Sequence, residues 1–175
     1  MRKIVISIFV LFFVATCCAA TNTIKPYIKS INHTCLIVSN MDKTLHFYRD
    51  LLGFKVIYDK SENDPAKGKQ PALKLRNIVL MGPNHYKLEL DQFIEPKPIF
   101  SKSHSIFKVG YNHIGIEVTN VDKVYQLLTK NHVKTYSKPQ SSKKMGYRFF
   151  FAKDPDGNYV EFLQHFGKTK DFMEL

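Results

Sequence analysis

Two histidines and two glutamates stand at matching positions of an internal repeat, and together they offer the side chains of a metal site. The segment Asn32–Lys43 returns eighty positions later as Asn112–Lys123, with six of its twelve residues unchanged. His33 and His113 occupy the same place in the two copies. A repeat of this kind in a short chain is typical of two like modules that pack as a pair.

A second pair of matching segments supplies one carboxylate from each copy. Lys87–Gln92 aligns with Tyr159–Gln164, so that Glu89 falls on Glu161. Two imidazoles and two carboxylates suit one divalent ion such as Zn, Ni, Co, Fe or Mn. Such an ion leaves coordination positions for water or substrate, acidifies bound water and polarises a bound carbonyl, while a neighbouring carboxylate can shuttle protons.

Each of these residues also has an ordinary interpretation when it is taken alone. A single histidine at a strand start is more often a hydrogen-bonded structural residue than a ligand. A single glutamate in an apolar strand is often a solvated edge residue. The joint recurrence of two histidines and two glutamates at matching positions favours the metal site.

Hydrophobic periodicity predicts the elements that must position these side chains. The first copy is predicted to contain strands His33–Val38, Phe54–Tyr58, Ala72–Leu80 and His85–Phe93, a helix Met41–Leu52 and a loop Ser61–Gln70. The second is predicted to contain strands Tyr111–Val118, Val133–Ser137, Gly146–Ala152 and Asn158–His165, a helix Val121–Asn131 and a loop Pro139–Lys144. The fold class is therefore α+β. We expect two paired βαβββ modules that form a cupped, barrel-like mixed sheet with the helices outside.

The alternation of side chains along a strand predicts which residues face the cavity of this cup. Ile114 and Ile116 form an apolar face that should pack on the helix, so His113 and Glu117 should face the opposite way. The same alternation places His33, Glu89 and Glu161 away from the apolar neighbours in their strands.

The first twenty residues predict export. A positive start is followed by the apolar run Ile4–Ala15 and by small residues up to Ala20, which is typical of a cleaved signal peptide over residues 1–20. We therefore expect a periplasmic or secreted protein, with no stable membrane insertion after cleavage. Two alternatives stay open: retention of the segment as a membrane anchor, and lipidation of Cys17. Cleavage leaves Cys35 as the one cysteine, so no disulfide can form within the mature chain.

The remaining sequence is predicted to form one domain with short flanking segments. Residues 21–30 form an extension, 31–93 and 111–166 are the two modules, 94–110 is a lysine-rich linker and 167–175 is a tail. The formal charge of +11 is interpreted as a solvated basic surface, with attraction to anionic partners as the alternative. No nucleic-acid-binding motif is present, and nucleic acid is not an expected partner.

Three stretches resemble the vicinal oxygen chelate superfamily, which includes glyoxalase I, extradiol dioxygenases and bleomycin-binding proteins. They are the histidine strand with the helix end Phe47–Phe54, the segment Tyr111–Val118, and the turn and strand Asp154–Phe162. The resemblance covers about 31–166 and implies a metal enclosed by paired βαβββ modules. Carried over by position, the ligands would be His33, Glu89, His113 and Glu161.

The four-ligand set is most similar to glyoxalase I, a carbon–sulfur lyase. The resemblance implies that a hemithioacetal is isomerised to a thioester through a metal-bound enediolate, with Glu161 as the base and Glu89 as its partner. Two alternatives are an extradiol-type dioxygenase and a non-catalytic protein that binds a small molecule.

The remaining expectations concern the substrate and the assembly. Arg49, Arg76 and Arg148 are the candidates for binding an anionic group of a small-molecule substrate, with ordinary surface charge as the alternative for each. The modules can pair within one chain or between the chains of a homodimer, and the sequence leaves this choice open.

Overall fold

The computed structural model describes residues 24, 27–69, 71–100, 105–107 and 109–166. The predicted signal peptide and the predicted tail lie outside these described residues. The chain divides into two units, 1–31 and 32–175. In the first unit, the Tyr27 amide donates to the Ile24 carbonyl at 2.9 Å. A search of the described residues finds no helix with the length and apolar character needed to cross a membrane.

The second unit begins with a module built around a four-stranded mixed sheet. Its elements are β1 (Thr34–Ile37), α1 (Met41–Leu45, continued by a π-helical turn His46–Leu51), β2 (Lys55–Asp64), β3 (Leu73–Met81), a 3₁₀ turn (Pro83–His85) and β4 (Lys87–Glu95). The strand order is β1-β4-β3-β2. β1 pairs with β4 in parallel, and the other neighbours are antiparallel.

The second module repeats this topology. Its elements are β5 (His113–Glu117), α2 (Val121–Lys130), β6 (Gln140–Ser142), β7 (Tyr147–Lys153) and β8 (Tyr159–His165). The order is β5-β8-β7-β6, again with one parallel pair between the first and last strands. The predicted α+β fold of two βαβββ modules is confirmed. The described strands form two separate four-stranded sheets rather than one closed barrel.

The repeated asparagine at each helix start explains part of the sequence repeat. The Asn40 side chain accepts a hydrogen bond from the Lys43 amide at 3.0 Å, and Asn120 does the same for Lys123 at 2.9 Å. Each asparagine satisfies an amide that the first helical turn leaves without a partner. The caps fix where each helix leaves its first strand.

One hydrophobic core spans both modules. The helices cover one face of each sheet, and the buried side chains include Tyr48, Leu88 and Leu90 from the first module and Phe150 and Phe162 from the second. Alternation then leaves the opposite face of each sheet open, and the predicted metal ligands lie on that open face.

A buried hydrogen bond fixes the two modules against each other. The Tyr48 hydroxyl, in a residue that is 1% exposed, donates to Asp154 Oδ2 at 3.1 Å. Asp154 is 5% exposed, and burial raises its pKa even though hydrogen bonds from Asn158 and Tyr48 lower it. Removal of this contact would leave a buried carboxylate short of a donor.

Two strand predictions were wrong. Ser61–Asp64, predicted to be loop, extends β2, because backbone pairing with β3 continues to the pair Asp64–Leu73 although these residues are exposed. In the second module, the predicted strand Val133–Ser137 contains only an isolated bridge between Thr135 and Ala152. The edge strand there is β6, which lies within the predicted loop Pro139–Lys144 and pairs with β7.

Candidate metal and substrate site

The first histidine–glutamate pair lies where β1 and β4 run side by side. Their parallel register sets Thr34 opposite Leu88, which brings the preceding His33 next to the following Glu89. His33 Nε2 lies 2.9 Å from Glu89 Oε2, with the two side chains 44% and 23% exposed. Both groups are therefore accessible from the open face of the first sheet.

The second pair repeats this geometry on β5 and β8. His113 Nε2 lies 3.2 Å from Glu161 Oε2, and the side chains are 35% and 12% exposed. Gly115 stands opposite Glu161 in the ladder, and a Cβ atom built on it would lie 3.8 Å from Glu161 Oε2. A side chain at this position would therefore be in van der Waals contact with the carboxylate.

Both pairs have the spacing of neighbouring ligands on one metal ion. Two donors bound at about 2.1 Å and at right angles lie about 3 Å apart. The observed separations of 2.9 Å and 3.2 Å match this distance. Imidazole nitrogen and carboxylate oxygen are also the donor types that Zn and the neighbouring divalent ions take. The residues present fit such an ion, as two ligands from each module.

The two pairs are not brought together within one chain. No cluster of three or more histidine, cysteine, aspartate or glutamate side chains among the described residues is arranged to hold a metal ion. The four predicted ligands are therefore associated two by two, and each histidine–glutamate pair, with two of the four predicted ligands, is called a half-site below.

The surroundings of the first half-site are polar. The amide nitrogen of Asn77, a residue that is 9% exposed, donates to Glu89 Oε1 and to Asp91 Oδ1, both at 2.6 Å. His33 lies at the other oxygen of Glu89, so both oxygens of this carboxylate have a polar neighbour. Sequence analysis missed Asn77, although it shares the alternation of Leu75 and Val79 on the open face of β3.

Cys35 lies beside this group and is an exposed residue. Its Sγ donates to Asp91 Oδ2 at 3.5 Å. Partial burial of the thiol, with the negative charge of Asp91 next in importance, raises the pKa of Cys35 to about 12. The thiol stays protonated at neutral pH and is a poor nucleophile.

A recess of about 500 Å³ opens on the first half-site. His33 and Glu89 lie on its wall together with the apolar side chains of Ile57, Leu75 and Val79. Lys87 also lines the recess, and it takes part in none of the ion pairs found between described residues. Its position two residues before Glu89 places both side chains on the same face of β4.

The second half-site has an aromatic wall instead. Phe151 packs edge-on against the His113 ring, with centroids 5.3 Å apart, and contacts Phe149 and Tyr159 in the same way. Tyr147 completes the wall, and its pKa is raised by burial and by the nearby charge of Glu161.

Asn77 and Asp91 of the first sheet correspond in the ladder to Phe149 and Leu163. The two half-sites therefore differ in polarity despite their common origin.

A further pair on the second sheet was also missed by the sequence analysis. His165 Nδ1 lies 2.8 Å from Glu117 Oε1, on the same face as Glu161. The alternation that placed Glu117 toward the cavity also places His165 there, and this was the signal available in the sequence.

The three candidate arginines all lie in ion pairs. Arg76 contacts Asp59 at 2.8 Å and approaches Asp42 of α1 at 3.7 Å, and Arg148 contacts Asp122 of α2 at 2.8 Å. These partners place both guanidinium groups on the helix side of their sheets, away from the half-sites. Arg49 contacts the adjacent Asp50 at 2.6 Å.

The fold and the half-sites define a class of protein: a duplicated βαβββ domain in which each module presents one histidine and one glutamate on an open sheet face. The chain belongs to the Glyoxalase/Bleomycin resistance protein/Dioxygenase superfamily, whose family model matches residues 30–162. The predicted family resemblance is thereby confirmed.

Sequence relatives include proteins with and without an assigned activity. The chain is 27% identical over 160 residues to the lactoylglutathione lyase of Schizosaccharomyces pombe, covering 83% of this chain but 50% of that protein. It is 29% identical over 129 residues to the uncharacterized protein YwkD of Bacillus subtilis, covering 74% of this chain and 91% of that protein. Lactoylglutathione lyase is another name for the glyoxalase I type of enzyme, so such enzymes are among the relatives.

Solved structures support the fold. A glyoxalase family protein from Bacillus cereus matches 85% of this chain and 99% of its own with a TM-score of 0.68 at 16% identity. The trypanothione-dependent glyoxalase I of Leishmania major matches 78% and 87%, with a TM-score of 0.58 at 24% identity. At these identities the likeness concerns the arrangement of the chain alone.

Proposed function

We propose that this protein is a metal-dependent lyase of the glyoxalase type, with each active site built from half-sites of two copies of the chain. The observation that carries the proposal is the pair of histidine–glutamate contacts, at 2.9 Å and 3.2 Å, on equivalent strands of the two modules. Membership of the superfamily and the lactoylglutathione lyases among the relatives support the reaction type.

The need for a second copy follows from the core. Tyr48 and Asp154 are hydrogen-bonded and buried between the modules, and the apolar residues around them form one cluster. Joining the two half-sites within one chain would disrupt this core. A two-fold dimer instead pairs the first half-site of each copy with the second half-site of the other without internal rearrangement. Each dimer would then contain two complete sites, each with His33 and Glu89 from one copy and His113 and Glu161 from the other.

The proposed reaction moves hydrogen within the substrate and needs no oxidant. The substrate is the hemithioacetal that a 2-oxoaldehyde forms with a small thiol. A proton leaves the carbon attached to sulfur and is returned to the neighbouring carbon. The hydroxyl proton passes to the oxygen of the former carbonyl, so that a thioester and a new hydroxyl result. A divalent ion would polarise the two substrate oxygens and make the carbon-bound hydrogen more acidic.

The surroundings of the two glutamates favour Glu161 as the group that moves the proton. Each glutamate faces one histidine, but Glu89 also accepts a hydrogen bond from the Asn77 amide, and no such side-chain donor is found for Glu161 among the described residues. A carboxylate with fewer contacts can rotate between two carbon atoms at lower cost. The aromatic wall beside Glu161 also keeps water from the proton in transit.

The recess of the first half-site favours a substrate whose thiol part carries an anionic group. Lys87 lines this recess beside His33 and Glu89 without an ion-pair partner among the described residues. Replacement of Lys87 by alanine should raise KM for a thiol adduct that carries a carboxylate and leave kcat nearly unchanged, because the contact is the same in ground and transition states. The exported location stays a prediction from the first twenty residues, and the physiological thiol would then be one found outside the cytoplasm.

The proposal is tested by metal content and turnover of the purified protein. We expect one divalent ion for each chain and formation of a thioester from the adduct of methylglyoxal with glutathione. The Glu161→Gln variant should lose turnover, while the control variant Glu117→Gln, on the same face but outside the proposed ligand set, should keep it. Oxygen consumption with a catechol would instead indicate a dioxygenase. Stoichiometric ligand binding without turnover in the metal-loaded protein would indicate a binding protein.

A further inference from the structure

We infer that Asn32 and Asn112 are positioning residues, which fix the tautomer and orientation of the two histidines so that Nε2 is available to a metal ion. This inference deepens the proposed function and rests on it for the identity of the ligands. Neither asparagine belongs to the ligand set, and both stand immediately before a histidine in the repeat.

The same contact is made in both modules. Asn32 Oδ1 lies 3.0 Å from His33 Nδ1, and Asn112 Oδ1 lies 2.9 Å from His113 Nδ1. An amide oxygen can only accept a hydrogen bond, so this orientation of the two amides assigns the proton to Nδ1 in each ring. In the neutral ring the lone pair then belongs to Nε2, which is the nitrogen that faces the glutamate.

A second contact fixes the direction of the Asn112 amide. Asn112 Nδ2 donates to the carbonyl oxygen of Ile106 at 2.6 Å. Rotation of the amide by half a turn would place two acceptor oxygens together at Ile106 and would turn the amide nitrogen toward His113. The hydrogen-bond network therefore determines that the Asn112 oxygen faces Nδ1 of His113.

The arrangement leaves two acceptors face to face. With Nδ1 protonated, a neutral His33 or His113 presents a lone pair to a carboxylate oxygen at 2.9 Å or 3.2 Å. These groups attract each other only when a positive charge lies between or beside them, either a second ring proton or a bound cation. Ligating histidines commonly donate their other ring nitrogen to a fixed acceptor in this way.

The pattern of the repeat is consistent with this role. Asparagine and histidine persist in both copies, whereas the residues that follow them differ, with Thr34 and Cys35 in one copy and Ile114 and Gly115 in the other. If the asparagine only served to begin the strand, its side-chain oxygen would have no reason to contact Nδ1 of the following histidine in both modules.

The test compares three kinds of variant in the full-length protein. Asn32→Leu and Asn112→Leu remove the acceptor at similar size, and Asn32→Asp and Asn112→Asp keep an acceptor oxygen. Asn120→Ala, which removes the α2 cap, serves as a control that lowers stability without touching a histidine. We expect the leucine variants to lose about tenfold to 100-fold in Zn affinity, the aspartate variants to recover most of it, and the cap variant to keep wild-type affinity.

Nitrogen-15 NMR of the histidine rings provides a readout that needs no metal. In the metal-free wild type at alkaline pH, both rings should show protonated Nδ1 and unprotonated Nε2. Each leucine variant should show a mixture of tautomers at its own histidine only. Wild-type rings with protonated Nε2, or leucine variants with unchanged tautomers, would overturn the inference. Absence of metal binding in the wild type with the expected tautomers would instead count against the proposed function alone.

Discussion

Replacement of Tyr48 by phenylalanine should destabilise the protein through one buried hydrogen bond between the modules. The hydroxyl donates to Asp154 Oδ2 at 3.1 Å, and both residues are almost fully buried. The carboxylate would keep the donors Asp156 N at 3.0 Å, Asn158 N at 2.8 Å and Asn158 Nδ2 at 2.9 Å. The loss should therefore be moderate for a hydrogen bond to a charged group, about 2 kcal/mol.

Thermal and urea unfolding measure this loss directly. For a protein of this size, a change of about 2 kcal/mol should lower Tm by roughly 4–8 °C. The control variant Tyr136→Phe changes a half-exposed tyrosine and should lie within about 0.5 kcal/mol of wild type.

The loss should also depend on pH in a definite direction. Burial raises the folded-state pKa of Asp154 above its unfolded value, so the stability that comes from its protonation is complete below the unfolded pKa and is lost as pH rises through the folded pKa. The Tyr48 hydrogen bond opposes this shift, because it stabilises the ionised form. The variant should therefore show its largest deficit at neutral pH and a smaller deficit as Asp154 becomes protonated at acidic pH. A Tm within 1 °C of wild type at neutral pH, or a deficit that does not change with pH, would refute the reasoning.

Three further predictions concern the half-sites. Asn77→Leu should weaken metal binding by roughly tenfold because Glu89 loses the amide that donates to one of its oxygens. Calorimetry measures this affinity, and an unchanged value would show that the Asn77 hydrogen bond does not position Glu89. The pKa of Cys35 is raised to about 12, so its thiol should react with a thiol reagent at pH 8 far more slowly than free cysteine. A rate equal to that of free cysteine would show that burial and Asp91 do not keep this thiol protonated. Arg148→Ala should lower the free energy of unfolding by about 1 kcal/mol or less because its ion pair is exposed. Steady-state kinetics should show an unchanged KM. A large rise in KM would indicate that Arg148 contacts the substrate.

Much of the fold could be predicted because two sequence signals report directly on geometry. The repeat located equivalent strands in the two modules, and alternation along the strands placed His113 and Glu161 on the side opposite the core. The same alternation, applied to Arg76 and Arg148, would have placed them with the buried residues Ile78 and Phe150 on the helix side.

The errors concern features that neighbouring strands determine. The far end of β2 is polar and exposed, so its strand conformation depends on backbone bonds to β3 rather than on its own hydrophobic pattern. The short edge strand β6 likewise depends on β7. The separation of the predicted metal ligands into two half-sites depends on how the modules pack through Tyr48 and Asp154, and no local pattern encodes that packing.

The most direct test of a site shared between two copies is metal binding by a mixed dimer. One chain would carry His33→Ala with Glu89→Gln, and the other would carry His113→Ala with Glu161→Gln, each with a different affinity tag. Co-expression and purification through both tags in turn isolates the dimer that contains one chain of each kind.

In the shared arrangement, the intact first half-site of one chain meets the intact second half-site of the other. The mixed dimer should therefore bind metal and turn over substrate at about half the wild-type level, while each variant alone should do neither. A mixed dimer that is folded and yet binds no metal, beside a wild type that does, would contradict the shared site.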